Sequence, residues 1–397
     1  MNIVLLSPEA IFPVNTGGRI VVYNRIKYLS LQGNKIFVFT IVDSREEFLI
    51  QKESLGSIAE DCKCYLRKEY LFSSMKNSFS MPYAVASRTI SDMQKDIDIL
   101  LQNESIDLID IEYPQMAINA IEYIKKYNIP CVLGLANIEY LSLKNIGDSI
   151  KSPFKKAIYK FEAKRLERFE TRLYNSGIIN AFTFVSESDK EYFETTFGNI
   201  NRTFLSPIGA ESNHNGDRVI HDGVNIMIFG KMSYPPNIEG VLWFYKNVWP
   251  VIKEIVKNVS LYIVGRDPSK ELVNISDESV IVTGTVDSVE EYYYKADVVA
   301  IPIFSGGGVK TKLIEAISYN VPVVCTSSGA CGTKFENEKH MFITDDSHEF
   351  ANRIIEIIRN QGDVNERMKQ AYQLFEKEYT WEGICRGLND FLKTLIV

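Results

Sequence analysis

The sequence predicts an α/β protein built from two doubly wound, parallel-sheet domains of the Rossmann-like kind. Three observations carry that prediction. Short β-branched apolar runs alternate with longer helical patterns, and the alternation restarts near residue 225. A chain of 397 residues at 45% hydrophobic composition also holds more material than one core accommodates comfortably.

The first half opens with "NIVLLS", followed by a helical pattern from Tyr23 to Leu31 and then "KIFVFTIV". Further runs are "IDLIDI", "PCVLGL" and "AFTFVS". Near-continuous apolar runs separated by crossover helices are the signature of parallel strands buried on both faces. From Asn225 the rhythm repeats in "NIMIFG", "LYIVG", "VIVTG", "VVAIPI" and "VPVVCT". Residues 1–205 are expected to form an N-terminal domain and residues 225–375 a C-terminal one. Residues 206–224 lack apolar periodicity and are rich in Gly, Asn, Asp and Pro, which marks a linker. Residues 376–397 carry Ile384, Leu388, Phe391, Leu392 and Leu395 at helical spacing, so a final helix is expected to pack back across the first domain.

A formal net charge of −7 argues against nucleic acid as a partner. The first ten residues carry no basic region and only four apolar residues in a row, and no run approaches a membrane span, so a cytoplasmic protein is expected. The six cysteines lack metal-ligand spacing, so no structural metal is expected, and no cofactor is expected either. The four histidines lack a triad-like context and read as surface or loop residues.

The stretch "FSGGGVKTKLIEAISYNVPVV" follows the run "VVAIPI" and opens a helix. Open α/β sheets bind ligands at this end of their strands. Gly306, Gly307 and Gly308 would let the backbone approach an anion, and the helix start supplies N–H groups for a phosphate. Lys310 and Lys312 add cations. On a helix, Gly308, Lys312 and Glu315 share a face opposite Leu313, Ile314 and Ile317. A cation beside the glycines and a carboxylate one turn on suit a diphosphate and a ribose diol. The plainer alternative is a flexible turn followed by a solvated Lys–Glu pair. Neither a Walker loop nor a GxGxxG fingerprint occurs. Gly17 and Gly18 form a second strand-to-helix turn, and the two turns are expected to face one another across a cleft holding one anionic ligand.

With "TGGRI", "NIEY", "FVSESDKEYF", "FGKMSYPPNIEGVLWF", "VTGTVDSVEEYYYKADV" and "GGGVKTKLIEA" spread along it, the chain resembles the retaining GT-B glycosyltransferases of the group 1, family 4 type. The resemblance implies transfer of a sugar from a nucleotide diphosphate sugar, UDP-linked as first choice, to a hydroxyl of a glycan or lipid-linked acceptor, without a metal. It implies donor binding by Gly17, Gly18, Asn237, Val286, Gly306, Gly307, Gly308, Lys310, Lys312 and Glu315. Lys231 and Lys312 would stabilise the leaving diphosphate, Glu315 would hold the ribose, and Val286 would lie in the loop that reads the base. Asn137 and Glu139 are further catalytic candidates; a capped turn after a buried strand is their structural alternative. The chain departs from the pattern twice. Gly307 stands where many relatives carry a glutamate, and Ala136 stands where many carry a histidine. A catalytically degenerate binding or partner subunit and a UDP-sugar 2-epimerase therefore stay open as alternatives.

The segment Lys151 to Arg172 has eight Lys or Arg against three Glu, with Phe154, Ile158, Phe161 and Leu166 on or near one side. It reads either as a peripheral helix at the inner face of an anionic membrane or as a core-packed helix with a solvated basic face.

Overall fold

Apolar runs become strands wherever both faces of a sheet must be covered. In the first unit these are β1 (Asn2–Ser7), β2 (Lys35–Val42), β3 (Asp61–Leu66), β4 (Leu108–Glu112), β5 (Cys131–Leu135), β6 (Ala181–Phe184) and β7 (Arg202–Leu205). In the second they are β8 (Val224–Phe229), β9 (Val259–Val264), β10 (Val280–Gly284), β11 (Val298–Ile301), β12 (Val323–Cys325) and β13 (Phe342–Ile343). The computed structural model describes all residues except 15, 151, 199–201, 214–218, 220, 306–310 and 397, and the side chains of residues 149 and 361.

Both sheets pair parallel throughout, in the orders β3-β2-β1-β4-β5-β6-β7 and β10-β9-β8-β11-β12-β13. The strands β3, β7 and β13 are absent from the sequence reading. "DCKCYL" begins with polar and apolar residues in alternation, "RTFL" is only four residues long and half polar, and β13 is two residues long. In each sheet the chain winds outward from a central strand in one direction and then in the other. The strand order therefore switches between β1 and β4 in the first unit and between β8 and β11 in the second. Crevices open at the carboxyl ends of such pairs.

Alternating residues feed two cores per sheet. On β1, Val4 and Leu6 join one buried cluster while Ile3 and Leu5 join the other. On β8, Ile226 and Ile228 face one cluster and Met227 the opposite one. By internal contacts the first unit comprises residues 1–208 and 384–397, and the second comprises residues 209–383. The helix Gln361–Glu378 stays with the second unit, whose core buries Phe375 and Tyr379. The returning segment thus begins at Ile384, within the helix Trp381–Lys393. Leu388 and Leu392 are buried with Ile3, Leu5, Val22 and Ile26, at about 2 kcal/mol apiece. Asn389 accepts a buried hydrogen bond from Asn34 at 3.0 Å on the same face.

The helix Gly17–Leu31 contributes more than apolar packing. Arg25 reaches under the switch point and pairs with Glu112 at 2.6 Å, both side chains almost wholly buried. Asp110, two residues earlier on β4, is also buried. Burial pushes its carboxyl up to about 7, the Glu112 charge pushes the same way, and Arg25 opposes both. One guanidinium therefore serves two carboxyls in a dry site. We expect Arg25→Ala to destabilise the first unit by about 3–5 kcal/mol, because Glu112 would stay buried and unpaired. Urea unfolding followed by circular dichroism measures that loss.

Candidate functional site

The second unit gathers its candidate residues at the carboxyl ends of β8 and β11. β8 delivers Gly230 with φ +153°, and a Cβ there would lie 2.6 Å from Lys312 Nζ and 2.8 Å from Asn237 Nδ2. The absent side chain is the space in which the lysine head sits. Asn237 lies in the first turn of the helix Pro235–Trp243, whose two leading prolines suit a helix start. Its Oδ1 accepts from Lys312 Nζ at 2.6 Å, and its Nδ2 donates to the Lys231 carbonyl at 2.8 Å. Lys312 stands near the start of the helix Thr311–Ser318, with its ammonium 5.9 Å from the centre of the Phe229 ring. Asn237 is therefore a positioning residue for Lys312 as well as a donor-side candidate.

Glu315 lies one turn beyond Lys312, half-buried, while Leu313, Ile314 and Ile317 face the core. Burial pushes its carboxyl up to about 7, and the Lys312 charge pulls the other way. Tyr293 and Tyr319 stack nearby with ring centres 4.6 Å apart, and Phe229 meets Tyr293 edge-on. The Tyr293 phenol is raised well above its ordinary range by burial first and by the Glu315 charge second. Its buried hydroxyl has no hydrogen-bond partner among the described residues. Val286 follows β10 and packs half-buried against this cluster. The Lys231 side chain is exposed. Gly306, Gly307, Gly308 and Lys310 lie outside the described residues.

The first unit holds a separate group at the ends of β1 and β4. Thr16 caps the helix Gly17–Leu31 by accepting from the Arg19 N–H at 3.4 Å. The amides of Gly17 and Gly18 thus stand in a first turn, where N–H groups lack intrahelical acceptors. Arg19 pairs with Glu9 at 3.3 Å and Glu47 at 3.4 Å, which ties the turn to its surroundings. A Cβ on Gly18 would lie 2.6 Å from the Tyr113 hydroxyl. Tyr113 follows β4 with φ +70° and donates its N–H to the Gly134 carbonyl at 3.0 Å.

Glu139 opens the helix Glu139–Ser149 and accepts from Gln115 Nε2 at 3.2 Å. Burial raises its carboxyl, while the Gln115 hydrogen bond and the Arg88 charge pull it back. Asn137 is exposed and does not cap that helix, since Ile138 occupies the cap position without a side-chain bond. The capped-turn alternative therefore lacks its cap. Sequence reasoning passed over Tyr113, Gln115 and Arg88 here, and Tyr293 and Tyr319 in the second unit. The one usable signal was the dipeptide Tyr113-Pro114 at a strand end, which disfavours a helical conformation at Tyr113.

His340 and His221 both lie in loops, as expected. His340 is buried and its Nδ1 accepts from the Glu336 N–H at 2.9 Å, so it closes a turn in the second unit. His221 lies 3.5 Å from Asp297. No group of three or more His, Cys, Asp or Glu side chains that could hold a metal occurs among the described residues. None of their helices is long and apolar enough to cross a membrane.

Residues 223–360 match the family model described as glycosyl transferases group 1. Over that span the chain is similar to group 1 glycosyl transferases. An uncharacterised 44.6 kDa protein of the cps region of Klebsiella pneumoniae is 24% identical over 399 residues, covering 95% of this chain and 96% of its own. Among solved structures, HepE (Alr3699) of Anabaena in complex with UDP superposes over 100% of both chains with a TM-score of 0.64 at 13% identity. The lipopolysaccharide outer core galactosyltransferase WaaB, in its apo form, matches 99% of this chain and 100% of its own, with a TM-score of 0.60 at 12% identity. The fold is thus GT-B, and within the matched span Gly230, Asn237, Lys312 and Glu315 lie together at the strand-order switch of the second unit.

Gly18→Ala should cost about 1–3 kcal/mol through collision with the Tyr113 hydroxyl, and Tyr113→Phe in the same chain should restore most of it. Thermal or urea unfolding of the four proteins of this cycle checks the coupling. Glu315, raised from an unfolded value of 4.5 to about 7, holds its proton more tightly in the folded state. Its contribution to stability is complete below about pH 4.5 and is lost as pH rises through about 7. Urea midpoints of the second unit should therefore fall across that window, by at most about 3 kcal/mol, and Glu315→Gln should flatten the fall.

Proposed function

We propose that the chain transfers a glycosyl group from a UDP-sugar to a hydroxyl of a glycan or lipid-linked acceptor in bacterial polysaccharide or glycoconjugate assembly, with retention at the anomeric carbon and without a metal. The observation that carries the donor assignment is the Lys312 ammonium, held by Asn237 above Gly230, with the Glu315 carboxyl one turn away. As the bond between the anomeric carbon and the donor phosphate breaks, negative charge gathers on the diphosphate. A fixed cation stabilises that state more than the ground state. Lys231, exposed at the same turn, supplies a second cation. Glu315 accepts from the ribose hydroxyls, and Tyr293 with Tyr319 and Val286 border the nucleoside.

Retention follows if the acceptor hydroxyl attacks from the face the diphosphate leaves. The acceptor oxygen then bonds to the anomeric carbon, and the departing phosphate oxygen takes the acceptor proton. No protein nucleophile enters this scheme. Glu139 and Asn137 are assigned to the reacting sugar and hydroxyl, with Gln115 and Arg88 orienting Glu139. Gly17 and Gly18 supply first-turn N–H groups to an anion. The UDP complex of HepE supports a UDP-linked donor, and the cps-region relative and WaaB support an acceptor of polysaccharide type.

Thermal unfolding with UDP, GDP and dTDP tests the donor assignment, since a selective ligand raises the midpoint by mass action. UDP should stabilise the protein most. Lys312→Ala should abolish that shift and lower transfer from a UDP-sugar about 10²–10³-fold. Full activity in EDTA and a product with the donor's anomeric configuration by NMR are expected. Absence of any nucleotide diphosphate effect on the wild-type protein would overturn the assignment.

A further inference from the structure

The helix Pro153–Tyr174 has two apolar sides. Ala163, Leu166, Glu170 and Leu173 are buried along one of them. Phe154, Ile158 and Phe161 project from the opposite side, with Phe154 76% and Phe161 62% exposed. Leu166 thus parts company with the three residues it was grouped with in sequence, and core packing leaves the other three unexplained.

A second exposed apolar segment lies against that outward side. Phe72 and Met75 lie on the first unit's helix Leu71–Asn77 and Phe79 in the turn just after it, with Phe72 84% and Phe79 91% exposed. Arg165 fastens this segment to the long helix by donating to the carbonyls of Ser78 at 2.7 Å and Met81 at 2.6 Å. Glu162 accepts from the Tyr83 N–H at 2.7 Å and pairs with Arg165. The Arg165 guanidinium also lies 5.5 Å from the centre of the Phe161 ring. Arg165 therefore links the Phe161 ring to the backbone on either side of Phe79, and the two exposed apolar segments adjoin through it. Exposed apolar surface of this kind, rimmed by polar groups, marks a contact site.

The rim decides the occupant. Lys164 and Arg168 flank the Phe stripe, and Lys156 and Lys160 lie farther round, toward the helix Glu139–Ser149. Lys144, Lys160 and Lys164 line a hollow of about 330 Å³ between the helices Glu139–Ser149 and Pro153–Tyr174, with Tyr140, Ala163 and Glu167 completing it. Asp148 neutralises part of the row, at 3.2 Å from Lys160 and 3.7 Å from Lys156. Residues 144–168 still hold eight Lys or Arg against three Asp or Glu in a chain of net charge −7. A second copy docked about a twofold axis would set this basic row against itself, at a repulsive cost. An anionic lipid surface complements both the charge and the apolar side chains.

We propose that residues 71–83 and the outward side of the helix Pro153–Tyr174 form a membrane-docking face, with Phe72, Phe79, Phe154 and Phe161 entering the acyl boundary and Lys144, Lys160 and Lys164 meeting anionic headgroups. This face is independent of the donor site. The full chain should sediment with phosphatidylcholine vesicles containing a quarter phosphatidylglycerol at 50 mM NaCl, and at least fivefold less at 500 mM NaCl or without phosphatidylglycerol. The triple variant Phe72→Ser, Phe79→Ser, Phe154→Ser should keep the wild-type melting midpoint and the UDP-induced shift while losing at least tenfold in vesicle binding. Lys144→Ala with Lys160→Ala and Lys164→Ala should lose most of the phosphatidylglycerol dependence, which decides the matter if the Phe variant melts early. Wild-type protein left in the supernatant with anionic vesicles, or a folded Phe variant that pellets like wild type, would overturn the proposal. So would a concentration-dependent dimer in sedimentation velocity that the Phe variant abolishes while vesicle binding is absent.

Discussion

A parallel sheet covered on both faces leaves only its strand ends for chemistry. That constraint organises each unit of this protein. Alternate residues of β1 and β8 are consumed by opposite cores, so no strand side chain at the centre of either sheet can serve a ligand. The polar groups that matter are displaced to the turns at the carboxyl ends, beside the pairs β1/β4 and β8/β11. There the direction of winding reverses and the two adjacent crossovers diverge, which opens room between them.

In the second unit this room is organised by one hydrogen bond, from Lys312 to Asn237. A neutral amide oxygen accepts from the ammonium, and Gly230 withholds a side chain that would collide with it. Had a carboxylate taken that position, the lysine would be largely neutralised before any anion arrived. An amide brings no negative charge of its own to the lysine, and burial disfavours the anion of Glu315, one turn deeper. The arrangement suits a ligand whose negative charge lies near the lysine and whose hydroxyls lie near the glutamate.

The first unit manages charge differently. Arg25 is enclosed with Glu112 and Asp110, and its role is to hold the central strand pair and the helix Gly17–Leu31 together at the switch point. Above it, Tyr113 occupies the space that Gly18 leaves open, and Glu139 meets Gln115. Packing beneath and polar contact above are thus joined through successive residues of β4 and the turn that follows it, from Asp110 through Glu112 and Tyr113 to Gln115.

The sequence by itself determined the two parallel sheets, because runs such as "KIFVFTIV" and "NIMIFG" carry their burial in their composition. It also determined that Lys312 and Glu315 share a helix face, since that follows from a spacing of three. It did not reveal β3, β7 or β13, whose short or alternating runs at a sheet edge are held by a neighbouring strand rather than by their own pattern. Tertiary structure alone brought Asn237 to Lys312 across 75 residues and Arg25 to Glu112 across 87. Tertiary structure also turned Phe154, Ile158 and Phe161 away from Leu166. Local spacing fixes which residues of one element face the same way. Which of those faces is buried depends on what the rest of the chain packs against it.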